Sequence, residues 1–367
     1  MGGKVRIGVV GVGMIGKSHI GGYAGIPDAE VVAVADINHA EAKRVAAENG
    51  IAHVFRSFRD ILKMDEVDAV DVCLHNNLHA PVTIAALEAG KHVYCEKPMA
   101  GSYYDAKAML DSARKTGNKL SIQLSTLFSR EHKTAKRMIE EGHLGHIYYA
   151  RSFGHRRRGR VYVDGYGTPQ FVQKKVAAGG ALYDMGVYHI AEVLDLLGNP
   201  AVLSVTGSTY QEIAMYEEQR KVSGFNVEEL GLGFARLAGG ITLSIEESWA
   251  IHYDDSESSK VLGSLAGLKL HPLTLFSRVG DVEVDASVDV NGPDFRWHRW
   301  VKDYDAYDGN QQHWMAALQG RVPLLPTAEI ALNVMFISEG IYLAQKLGRE
   351  VTAAEIRKTS KSSAVKV

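Results

Sequence analysis

The first third of the chain alternates short apolar runs with segments of helical period. Residues 5–10 form an apolar run rich in β-branched side chains, long enough for a strand buried on both faces and too short for an ordinary helix. A helix reading to about residue 23 follows, then a second strand over 31–35, a helix over 57–63, a strand over 69–74 and a helix over 80–89 closed by Gly90. Gly90 suits the left-handed residue that stops a helix just before the strand at 93–95. Ser102 can cap another helix running to about residue 116, and 120–123 makes a further strand. Strands joined by crossover helices form a doubly wound parallel sheet of the α/β class.

Beyond residue 123 the pattern changes. After a helix over 131–141, strand-like runs succeed one another with few helices between them, at 147–153, 202–210, 230–237, 241–249, 261–262 and 282–288. Such a succession argues for a mainly antiparallel, open-faced sheet of the α+β class. The alternation at Leu243, Ile245 and Glu247 fits one packed face and one wet face. Helices over 310–318 and 327–347 close the structure, and 358–367 reads as a loose tail.

Between the first strand and its helix lies Gly11-Val12-Gly13-Met14-Ile15-Gly16. In this setting the first glycine permits a tight turn, the second lets the backbone approach a pyrophosphate, and the third allows close packing of helix on strand. The helix start then offers free N–H groups to phosphates. Asp36 ends the second strand, twenty residues beyond Gly16. A carboxylate there accepts from both ribose hydroxyls of an adenosine and repels the extra phosphate of NADP, so the cofactor expected is NAD. The competing reading makes Asp36 a cap for the helix starting near His39, which leaves the glycine pattern unexplained. A nucleotide-binding Rossmann domain is therefore expected over 1–124, with a second domain over 125–367.

Glu96-Lys97-Pro98 emerges at the C-terminal end of the strand at 93–95. In open parallel sheets the ligand crevice lies outside the carboxyl ends of the strands, so this charged pair is expected to face bound ligand rather than form a surface ion pair.

Composition narrows the setting. A chain of 367 residues suggests two domains, and its apolar fraction of 46% is ordinary for a globular protein. No uninterrupted apolar run approaches the roughly 20 residues of a membrane span, and Met1-Gly2-Gly3-Lys4 leads into a strand with no export signal, so a cytoplasmic protein is expected. The net charge of -2 gives no overall attraction to nucleic acid or anionic membrane. Cys73 and Cys95 end neighbouring strands and read as small buried residues rather than a disulfide. The basic run His155-Arg156-Arg157-Arg158-Gly159-Arg160 reads first as a solvated loop, with an anion site or a subunit contact as alternatives.

Several separated motifs together resemble the glucose-fructose oxidoreductase and inositol dehydrogenase (Gfo/Idh/MocA) family of NAD(P)-dependent sugar and polyol oxidoreductases. They are the Gly11 turn, Asp36, Asn76-Asn77-Leu78-His79, Gly90-Lys91-His92-Val93 leading into Glu96-Lys97-Pro98, and Gly179-Gly180-Ala181-Leu182-Tyr183-Asp184-Met185-Gly186. The resemblance implies that Lys97 lies beside the nicotinamide and the substrate hydroxyl, with Glu96 orienting the local network and Asn76 lining the nicotinamide end. His79, at the same helix start, is grouped with the cofactor-binding positions as a capping or packing residue. Burial and neighbouring positive charge are expected to bring the Lys97 ammonium down toward neutrality.

Asp184 is expected to supply the other half of the site. Family members commonly place a histidine four residues beyond it, on the same helix face. This chain has Tyr188 there and His189 one step further. Tyr188 is preferred as the acid-base or positioning group because a helix turns about 100° between the two, and His189 is read as a packed residue. His75 stands where the family often has proline, and Leu127 where an arginine is common, so both are expected to alter the mouth of the site. His75 and His79 are four apart, but no local carboxylate or thiolate completes a zinc site, and no metal is expected.

The resemblance implies hydride transfer between a carbinol carbon and NAD, with a homodimer or homotetramer assembled through the second sheet. The alternative is an oxidoreductive glycosidase, in which retained NAD transiently oxidises a ring hydroxyl. A non-catalytic NAD sensor leaves Lys97, Asp184 and Tyr188 without a shared purpose.

Overall fold

The computed structural model describes residues 3–254 and 257–367; the reading of Met1 and Gly2 lies outside the described residues. The chain builds two sheets. The first contains β1 (Val5–Val10), β2 (Ala29–Ala35), β3 (His53–Phe55), β4 (Ala69–Val72), β5 (His92–Cys95) and β6 (Leu120–Ile122). Helices α1 (Met14–Ala24), α2 (His39–Asn49), α3 (Phe58–Leu62), α4 (Asn76–Glu88) and α5 (Tyr103–Thr116) connect them. The strand order is β3-β2-β1-β4-β5-β6 and every pairing is parallel, so the order reverses between β1 and β4. That reversal opens a crevice at the carboxyl ends of β1 and β4.

Local chemistry explains several boundaries. The Ser102 hydroxyl accepts from the Asp105 N–H at the start of α5, and Gly117 ends that helix in the left-handed region with φ 72°. Asn38 caps α2 by accepting from the Glu41 N–H, so Asp36 is not its cap. The α4 helix begins at Asn76, one turn earlier than the apolar period suggests, and tolerates Pro81 within its first two turns. The strand β3 is only three residues long and carries no apolar run of its own.

The second sheet has nine strands in the order β14-β13-β12-β11-β7-β10-β9-β8-β15. They are β7 (Ile147–His155), β8 (Val202–Tyr210), β9 (Leu230–Leu237), β10 (Thr242–Ser248), β11 (Lys260–Gly263), β12 (Gly267–Lys269), β13 (Thr274–Val279), β14 (Val282–Ser287) and β15 (Val351–Thr352). All pairings are antiparallel except β7 with β10. The helices of this part are α6 (Arg130–Glu140), α7 (Lys174–Ala177), α8 (Ala181–Asp184), α9 (Gly186–Leu196), α10 (Glu217–Ser223), α11 (Asn291–Trp300), α12 (Asn310–Leu318), α13 (Thr327–Leu347) and α14 (Ala353–Thr359). One face of the sheet packs on α9 and α13, while Leu203, Phe234 and Phe276 stand exposed on strands β8, β9 and β13. Helix α13 is long and apolar enough for a membrane span, but 67% of its apolar window is buried inside the protein.

The residues after 357 are not a loose tail. Ser363 donates from both its N–H and its hydroxyl to Asp105, the Val365 N–H bonds the Asn77 carbonyl, and the Val367 carbonyl accepts from Arg59. From the other direction α12 packs against the first sheet: Trp314 and Met315 share one buried cluster with Val9, Tyr23 and Tyr94.

Candidate active site

At the carboxyl end of β1, Gly11 has φ 93° and any side chain there would collide with the Cys73 carbonyl. A Cβ on Gly16 would collide with the Gly11 carbonyl, which is how α1 comes to lie tight on the turn. A Cβ on Gly13 would meet nothing, so that stretch of backbone is open to a ligand. Met14 and Ile15, 72% and 43% exposed, stand out from the same turn as apolar surface at a helix start. Asp36 closes the far side, accepting from the Val12 N–H at 2.9 Å and the Asn38 N–H at 2.8 Å.

At the carboxyl end of β5, Lys97 reaches across to the second half of the chain. Its Nζ donates to Asp184 Oδ1 at 2.8 Å and to the Asp184 carbonyl at 3.0 Å, and it lies 5.0 Å from the centre of the Tyr188 ring. The second Asp184 oxygen accepts from the Trp249 indole at 2.9 Å. The Tyr188 hydroxyl donates to Gln123 Oε1 at 3.1 Å. Burial opposes the charge on Lys97, but the Asp184 carboxylate and the Tyr188 and Glu96 side chains outweigh it and hold the ammonium above its ordinary range. This corrects the expectation of a lysine lowered toward neutrality: the nearest charge is negative, not positive. Burial would raise Asp184, yet Lys97 beside it keeps the carboxyl low.

The helix carrying Asp184 is broken. A separate short α8 ends at Asp184, and α9 starts at Gly186 after Met185, so Asp184 and Tyr188 do not share one uninterrupted helix. Tyr188 reaches Lys97 all the same. His189 is more than a packing residue: its Nδ1 bonds Glu247 Oε2 at 2.8 Å, and although burial opposes it, Glu247 raises its affinity for a proton. Glu247 lies on the packed face with Leu243 and Ile245, fully buried, and also accepts from the Ser152 hydroxyl at 2.6 Å.

The other expected positions divide. Asn76 is buried with its amide donating to the Ala177 carbonyl at 2.8 Å, so it ties α4 to α7 across the crevice instead of leaving its amide free. His79 is fully buried, its ring nitrogens 2.8 Å from the Pro98 carbonyl and 3.0 Å from the Leu74 carbonyl. It therefore braces the crevice floor. Glu96 is buried beneath the site, and Oε2 accepts from the Lys97 N–H at 3.0 Å. His75 stacks edge-on against Phe171, 5.3 Å away, at the mouth, whereas Leu127 is buried in the core.

The basic run is not one solvated loop. Arg160 is fully buried, paired with Asp164 at 2.9 Å and Glu229 at 2.9 Å. Arg156 turns toward the site, 3.7 Å from Asp184 and bonded to the Tyr166 hydroxyl.

Two family models match the chain: an oxidoreductase family with an NAD-binding Rossmann fold over residues 5–124, and the GFO/IDH/MocA C-terminal domain over residues 132–269. The chain belongs to the GFO/IDH/MocA oxidoreductase family. It is similar to the D-glucoside 3-dehydrogenase of Escherichia coli (strain K12), 28% identical over 356 residues, which cover 95% of this chain and 97% of the relative. It also resembles the myo-inositol 2-dehydrogenase of Thermotoga maritima, 31% identical over 141 residues, covering 38% of this chain and 42% of that protein. Among solved structures, a levoglucosan dehydrogenase in complex with NADH and levoglucosan superposes with a TM-score of 0.78 at 22% identity, over 95% of this chain and 99% of the other, a likeness of fold.

As an NAD-dependent oxidoreductase, this family member should hold NAD in the cradle described above. The residues fit: an unobstructed Gly13 backbone, the apolar Met14 and Ile15, and a carboxylate at the end of β2. Sequence reasoning missed Asp71, Glu247, Trp249, Gln123 and His19. The signal was present for two of them, since Asp71 interrupts the apolar run of β4 and Glu247 stands in an apolar alternation. A charge at a core position requires a partner.

Proposed function

We propose that the protein is an NAD-dependent dehydrogenase of a sugar or polyol, with Lys97 as the proton relay. The observation that carries this is the contact of Lys97 with both Asp184 and the Tyr188 ring at the carboxyl ends of the parallel strands. NAD, when bound, supplies the hydride acceptor. A carbinol hydroxyl placed between Lys97 and Tyr188 would hydrogen-bond both groups. Once Lys97 has given up its own proton to solvent, it takes the hydroxyl proton as hydride leaves the carbinol carbon, and the Asp184 carboxylate 2.8 Å away stabilises the ammonium that forms. In reverse, the ammonium already present protonates a carbonyl oxygen directly. Trp249 and Gln123 fix the orientation of Asp184 and Tyr188.

The substrate class rests on the glucoside and inositol dehydrogenase relatives and on a crevice lined by hydrogen-bonding side chains. Asp36 supports NAD over NADP. The exposed Leu203, Phe234 and Phe276 support a homo-oligomer formed through the open sheet, which light scattering would test. The deciding experiment is a screen of monosaccharides, inositols, uronates and glycosides with excess NAD, read by NADH absorbance. NADH accumulating in proportion to substrate consumed is the expected result. Glycoside cleavage with catalytic NAD and no lasting NADH would replace net oxidation by a closed redox cycle, and no turnover of any polyhydroxyl compound would overturn the reading.

A further inference from the structure

Directly beneath the relay lies a buried charge cluster that the reaction as described does not use. His19, on α1, is 6% exposed. Its Nδ1 lies 2.9 Å from Asp71 Oδ2, and its Nε2 lies 2.8 Å from Glu96 Oε1. A neutral imidazole carries one N–H, whereas two carboxylates facing two nitrogens call for two donors, which only imidazolium provides. Burial works against the charge, and Asp71 overrules it and keeps the ring protonated above its ordinary range. The remaining lone pairs are also used: the Tyr23 hydroxyl donates to Asp71 at 2.8 Å, Cys73 Sγ lies 3.3 Å from Asp71 Oδ1, and Glu96 Oε2 takes the Lys97 N–H at 3.0 Å.

We infer that His19 is a positioning residue for the proton relay: as an imidazolium clamped between Asp71 and Glu96, it holds Glu96 on the Lys97 backbone and offsets negative charge behind the Lys97 ammonium. The inference rests on the proposed role of Lys97. The groups facing His19 are Asp71 on β4, Cys73 just after it, Tyr94 of β5 at 5.7 Å between rings, Glu96, and Tyr23 on its own helix; α12 presents the neutral Gln311, which donates to the His19 carbonyl. Beyond Glu96 stand Lys97, Asp184 and Tyr188, and the positive charge of His19 is felt as far as Tyr188. His19, Asp71 and Cys73 also lie close enough together to ligate a cation. The imidazolium and tyrosine protons, however, both occupy Asp71 Oδ2, and the Cys73 thiol takes Oδ1.

Without the positive charge of His19, the field at Lys97 becomes more negative and its proton is held more tightly. His19→Gln should therefore move the rising limb of the pH profile of kcat/KM for oxidation upward, on the order of one pH unit, with KM for NAD little changed. His19→Gln/Asp71→Asn, which restores the net charge, should bring the limb back. A purely structural role would lower stability and leave the limb in place in both variants, and that result overturns the inference. Independently of activity, nitrogen-15 NMR of the histidine-labelled protein should show His19 doubly protonated well above neutral pH; a neutral ring there would also overturn it, while leaving the dehydrogenase reading untouched.

Discussion

Lys97 shows how one contact reverses an expectation. A buried lysine in a crevice is ordinarily pushed toward neutrality, but Asp184 at 2.8 Å supplies more than burial removes. The sign of the pH dependence follows. Oxidation needs a vacancy for the hydroxyl proton, so its kcat/KM should climb toward alkaline pH, whereas reduction of the matching carbonyl compound should fall over the same range. Initial rates in both directions against pH would test this, and parallel slopes would remove Lys97 from the proton path. Lys97→Ala should lower turnover by roughly 10² to 10⁴. At the neighbouring pair, Tyr188→Phe loses the bond to Gln123 and should reduce kcat, while His189→Gln perturbs the buried Glu247 and should mainly lower Tm. The opposite pattern would move the acid-base assignment to His189. Lys97, Asp184 and Tyr188 were legible because each sits at a motif; His19 and Gln123 were not, because their partners arrive from elements far away in sequence.

At the scale of elements, apolar periodicity located the parallel strands with strong runs and most of the antiparallel ones. It failed where an element is very short or has little burial to pattern it. Strand β3 has three residues with no buried side chain, and β13 is exposed along much of its length. It also could not show that β7 and β10 run parallel within an otherwise antiparallel sheet. That single pairing brings the carboxyl ends of both strands to the crevice, delivering Arg156 from one and Glu247 and Trp249 from the other. The basic run after β7 misled because charge was read without partners. Arg160 is a structural pin between Asp164 and Glu229, so Arg160→Gln leaves buried carboxylates unpaired and should cost about 3–5 kcal/mol in denaturant unfolding. Arg157→Gln, on an exposed position, should be near neutral.

For the whole molecule, the fold class was legible because a glycine turn between strand and helix and a change from alternating to successive strands are both properties of local sequence. Cofactor choice belongs to this scale, since binding stabilises the entire native state. NAD at saturating concentration should raise Tm clearly more than equal NADP, and Asp36→Ala should narrow the difference; equal shifts with the native protein would remove Asp36 as the discriminator. Which residues complete the nucleotide half was not legible, because the packing joins opposite ends of the chain. Trp314 and Met315 fill its core, Asn310 bonds the Tyr94 hydroxyl at 2.7 Å, and Ser363 settles on Asp105. A ribosome making this protein must therefore release residues 1–124 with an apolar flank still uncovered, and it remains so until the segment from Asn310 onward emerges. An isolated 1–124 fragment should bind a hydrophobic dye and aggregate, and adding a peptide spanning 305–322 should suppress both. Maturation of the dinucleotide cradle is thus timed by residues translated long after the cradle itself.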